Sequence, residues 1–166
     1  SMGGQWQELI GMYRQEAEIA RNQDTRVTLL FKIGELYEEK LKDPALAIKA
    51  FRDVLKEKVD HHPAVRALMR LYLQQHDDAG LVEMAQKEAQ LFSEPLEQAH
   101  ALYHAGEILA ARLNRPLDAA GLYQRALQLA PTFDAALNAL VELASATGDL
   151  RAEQEALRRA LDNIPK

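Results

Sequence analysis

The chain has 166 residues, with 20 Lys and Arg against 25 Asp and Glu (net −5), 48% apolar residues and no cysteine. That is enough for one domain or one stack of small repeats, and it excludes a disulfide scaffold, thiolate metal sites and cysteine catalysis. The charge divides into −2 over residues 1–83 and −3 over residues 84–166, so neither half offers a basic footprint and nucleic acid is not an expected partner.

Ala, Leu, Gln, Glu and Arg fill the runs between scattered Gly and Pro, the apolar spacing is helical, and no β-branched alternation occurs, so an all-α chain of nine helices is expected. Residues 1–4, Ser-Met-Gly-Gly, read as an expression scar. The natural N-terminus and any signal in it would then be missing; a cytoplasmic setting is favoured. The first helix is expected over 5–22, with Trp6, Leu9, Ile10 and Tyr13 on its apolar side, and the next over 25–41. Pro44, after Asp43, suits the first turn of a helix over 44–58, where a missing N–H costs nothing. His61-His62-Pro63 reads as the entry to a helix over 62–76, and Asp77 as the cap of one over 79–92. Helices over 96–113, 116–129, 133–146 and 149–163 complete the set, Pro116 opening one and Pro131 closing it. No run approaches the roughly 18 apolar residues of a membrane span, and no membrane insertion is expected.

Shifted by 72 residues, the chain matches itself without a gap. Gly34-Glu35 falls on Gly106-Glu107, Pro44 on Pro116, Ala47 on Ala119, Phe51 on Tyr123 and Ala67-Leu68 on Ala139-Leu140. Each unit halves again, because the close-packing positions Gly34, Met69, Gly106 and Val141 lie 35, 37 and 35 residues apart. That is the length of a helical hairpin. The same register aligns Leu9, Met12, Glu16 and Ala17 with Leu81, Met84, Glu88 and Ala89, making 5–22 the second half of a hairpin. Hairpins over about 25–60, 61–94, 95–131 and 132–165 follow it in a single domain over 5–166.

Two stretches, Ile33-Gly34-x-x-Tyr37 … Ala47-x-x-x-Phe51 and Ala105-Gly106-x-x-Leu109 … Ala119-x-x-x-Tyr123 … Pro131, resemble the tetratricopeptide repeat. The second hairpin is the most worn, with Leu81, Ala85 and Glu88 where Ala, an aromatic and Ala are usual. The resemblance implies a right-handed α-solenoid of stacked hairpins, a segment of a larger bacterial scaffold. A small residue admits the second helix of its hairpin, and an aromatic such as Phe51 or Tyr123 fills the cleft to the next.

It also implies a concave groove lined by the first helix of each hairpin. Carried over by register, its lining is Phe31 and Glu35, Arg66, Arg70 and Gln74, Tyr103 and Glu107, and Asn138 and Glu142, with Glu38 farther along. A protein or peptide segment offering apolar groups and an acidic group to Arg66 and Arg70 is the expected ligand; in the competing reading these arginines only pair with Glu35 and Glu107. The subfamily that clamps the C-terminal carboxylate of heat-shock chaperones uses Lys and Asn where Phe31 and Glu35 stand, which argues against that ligand. The rival function is a structural spacer or self-assembly element acting through uncapped ends, with Trp6, Leu9 and Tyr13 at one end and Leu157, Leu161 and Ile164 at the other.

An enzyme has little to stand on. His100 and His104 have the i,i+4 spacing of two zinc ligands but no third ligand nearby, so exposed helix residues are the plainer reading. Glu38-Glu39 and Asp77-Asp78 read as surface and turn charge, and neither a Gly-x-Ser-x-Gly turn nor a Gly-rich phosphate loop occurs. No cofactor or metal is expected.

Overall fold

The computed structural model describes residues 2–146, together with residues 151, 154 and 158. The described residues are all-α, in two compact units, 1–76 and 77–166. The first unit holds α1 (Met2–Ile19), α2 (Gln23–Glu39), α3 (Pro44–Glu57) and α4 (His62–Gln74); the second holds α5 (Asp78–Leu91), α6 (Pro95–Ala111), α7 (Pro116–Leu129) and α8 (Asp134–Ala146). Within each unit every helix packs on its neighbour in the chain. The boundary falls between α4 and α5, inside the hairpin whose repeat pattern is the most worn. Of the expected helix over 149–163, residues 151, 154 and 158 are described and helical, while Leu157, Leu161 and Ile164 lie outside the described residues.

Local chemistry sets the helix ends. The side chains of Asn22, Asp43 and Asp77 accept from the amides of Asp24, Leu46 and Gly80, each satisfying one of the free N–H groups of a first turn. His61 does the same for α4, its Nδ1 accepting from Ala64 N–H at 3.2 Å, so the His-His-Pro sequence is a helix entry. Proline stands in the first turn of α3, α4, α6 and α7. The turns after α2, α4 and α6 each carry a non-glycine residue with positive φ: Lys42 (53°), His76 (56°) and Asn114 (50°).

The 72-residue register is reproduced in the packing. A Cβ on Gly34 would sit 2.5 Å from Phe51 Cε1, and a Cβ on Gly106 would sit 2.5 Å from Tyr123 Cε1. Glycine is what lets each ring lie against the preceding helix. Each aromatic packs on the small residue of its own hairpin, and Tyr123 also lines the cleft toward α8.

One expectation for the N-terminal end needs correction. The first helix spans Met2–Ile19 instead of 5–22, because Asn22 is the cap of α2 and the residues just before it form the connection. On this helix Ile10 is 2% exposed, Leu9 is half-buried, and the half-buried rings of Trp6 and Tyr13 lie beneath the ammonium groups of Lys40 and Lys32 at 5.3 and 5.7 Å. The exposed side of α1 is mostly polar, with Met12 and Ile19 as apolar exceptions.

Candidate protein-interaction surface

In the first unit, α2 supplies Phe31 and Glu35 and α4 supplies Arg66, Arg70 and Gln74. Phe31 is half-buried, its ring 5.2 Å from Phe51 and 5.3 Å from His61, so it belongs as much to the core as to the surface. Arg70 reaches back to α2 and holds Glu38 with two bonds, Nε to Oε1 at 2.7 Å and Nη2 to Oε2 at 2.8 Å. The arginine is thus paired, but with Glu38, one turn along from the expected Glu35. Glu35 remains exposed, its carboxyl held above the ordinary range by desolvation and by the charges of Glu39 and Glu38. Arg66 and Gln74 are exposed as well.

In the second unit, Tyr103 and Glu107 on α6 and Asn138 and Glu142 on α8 come together around a cleft of about 550 Å³. Tyr103 donates its hydroxyl to Glu107 Oε1 at 2.8 Å, while His104 Nδ1 lies 3.3 Å from Glu107 Oε2. Alanines 110, 135 and 139 leave the space between the helices open, and Tyr123 of α7 forms part of its wall. Among the described lining residues there is no Lys or Arg. The electrostatics follow: the Tyr123 hydroxyl is pushed up to about 12 by burial and by the charges of Glu107 and Glu142, and that of Tyr103 is raised by its bond to Glu107. Both phenols stay protonated at neutral pH.

His100 and His104 serve this unit structurally. His100 stacks on Phe133 with ring centroids 4.4 Å apart, and Phe133 meets Tyr103 edge-on at 5.3 Å. Among the described residues no three or more His, Asp or Glu side chains are placed to hold a metal ion. Sequence reasoning passed over Tyr123 and Phe133 as lining or supporting residues. The usable signal at 123 is the exchange of Phe51 for a tyrosine in the same register.

Helical hairpins in which the glycine–aromatic contact of α2–α3 recurs in α6–α7 define a helical-hairpin repeat protein. Residues 28–57, most of the α2–α3 hairpin, match the family described as tetratricopeptide repeat. The fold is shared with two solved structures, "Crystal structure of MamA" and "Crystal structure of MamA protein", each at 17% identity and a TM-score of 0.52 over 97% of this chain, covering 90% and 84% of theirs. No curated protein matches the sequence. No helix among the described residues is long and apolar enough to cross a membrane.

Proposed function

We propose that the chain is a non-catalytic docking scaffold that takes a segment of a partner protein into its groove, with the α6–α8 cleft as the principal seat. The supporting observation is that four residues carried over from the tetratricopeptide resemblance, Tyr103, Glu107, Asn138 and Glu142, line one cleft of about 550 Å³. A partner segment meets side chains already fixed by hairpin packing, so the ordering cost falls on the partner. In the first unit, considered by itself, Glu35, Arg66 and Gln74 stand at the corresponding groove positions. Arg70 is a weaker contributor, since a ligand would compete with the two-bond pairing to Glu38.

Selection of random displayed peptides against the folded protein, followed by amide chemical-shift mapping of the selected peptides, tests this. Perturbations should cluster at Tyr103, Glu107, Asn138 and Glu142. Peptides that perturb only residues away from the groove positions of both units would overturn the proposal.

A further inference from the structure

Tyr123 is 2% exposed, and its hydroxyl makes no hydrogen bond among the described residues. No side-chain oxygen or nitrogen among them is both sealed from solvent and without a partner. The phenol oxygen therefore opens outward, and the cleft that Tyr123 lines is where it opens. Packing does not require that oxygen: in the first unit Phe51 stands at the equivalent position, against Gly34, at the same 2.5 Å from a Cβ placed there. A hydroxyl thus stands at the cleft where an isosteric apolar ring was sterically available.

The surroundings indicate which partner the hydroxyl meets. Glu107 is held in place by Tyr103 and His104, and Glu142 has no cationic partner among the described residues. A ligand entering here finds two carboxylates, a phenol hydroxyl that can accept as well as donate, the amide of Asn138, and no Lys or Arg on the described walls. An anion would be repelled, whereas a guanidinium brings five N–H donors in a planar fork suited to several acceptors at once.

We infer that the Tyr123 hydroxyl, Glu107 and Glu142 form a seat for an arginine side chain carried by the partner segment. This rests on the groove reading above and deepens it by fixing the ligand's charge; a ligand acidic toward Arg66 and Arg70 would contact the first unit, not this cleft.

The test is titration of the whole chain with a fluorescent, N-acetylated and C-amidated hexa-arginine peptide at physiological salt, read by anisotropy. Tyr123→Phe should weaken binding about fivefold and leave the melting temperature nearly unchanged, since the ring keeps its packing against Gly106. Glu107→Gln with Glu142→Gln should weaken it tenfold or more, roughly the loss expected for charge-assisted bonds. Glu16→Gln with Glu18→Gln, exposed on α1, removes the same charge from elsewhere and should change binding less than about twofold. If the α1 variant weakens binding as much as the cleft variant, or Tyr123→Phe binds like the parent, the arginine seat is wrong. Selected peptides that map to the cleft but lack arginine and ignore Tyr123→Phe would sink this inference and leave the docking proposal standing; peptides that bypass the cleft would sink both.

Discussion

Three glycines in helices separate packing from propensity. At Gly34 and Gly106 a methyl group would meet an aromatic ring at 2.5 Å, while at Gly121 it would meet nothing within 4 Å. Gly34→Ala and Gly106→Ala should each lower stability in urea titrations by about 1–3 kcal/mol, because the ring must leave its rotamer or the helices must part. Gly121→Ala should raise it by up to about 1 kcal/mol through helix propensity alone. A destabilising Gly121→Ala, or a neutral Gly106→Ala, would contradict the packing. The equivalence of positions 34 and 106 was legible in the sequence, because a repeat register transfers a steric requirement unchanged. The hydroxyl of Tyr123 was not read, because a packing pattern treats Phe and Tyr as one class. Nor could the sequence select Glu38 over Glu35 for Arg70: both lie on α2, and the choice depends on how far α4 is slid along it, which pattern does not encode.

Helix ends carry the predictions for elements. His61 accepts from the first turn of α4 only as a neutral imidazole, and its pKa lies below the ordinary value through desolvation and the nearby Lys58 charge, with Asp60 acting in the opposite direction. A lowered folded pKa means that the cap's contribution is complete above the unfolded value near 6.5 and is lost as pH falls through the folded value. Protonation also sets a cation at the positive end of a helix. Thermal melts should therefore show α4 loosening below about pH 6.5, and His61→Asn, which keeps a side-chain acceptor, should remove that part of the pH dependence. At the opposite end of a hairpin, Lys42 sits at φ 53°, where the amide of Asp43 donates to the carbonyl of Tyr37 at 2.8 Å. Lys42→Gly relieves a left-handed conformation that a Cβ disfavours and should stabilise the protein by about 1 kcal/mol in denaturant titrations. Existence and order of the eight described helices were readable from period, proline placement and caps. The start of α1 was not, since Gly3 and Gly4 argue against a helix that nonetheless begins at Met2.

For the whole molecule, the consequence of repeat construction is that stability is assembled from local terms. Within each unit a helix packs on its chain neighbours, so a defect acts first on the hairpin that contains it and on the helices next to it. Phe51 is completely buried, touches Gly34 and lies 5.2 Å from Phe31, making it the point where the α2–α3 hairpin is held. Phe51→Ala should cost about 3–5 kcal/mol locally. In native-state hydrogen exchange, amides of α2, α3 and α4 should lose protection by an amount near that figure, while those of α6, α7 and α8 keep theirs. Such a result is what a chain of neighbour-stabilised hairpins gives; equal loss of protection through α8 would instead require one cooperative core. Local failure also separates binding from folding: a cleft built from α6, α7 and α8 should retain its hexa-arginine affinity in Phe51→Ala at temperatures where the first unit has begun to open. If affinity falls in step with α2–α4 protection, the cleft is not supported by its own unit alone.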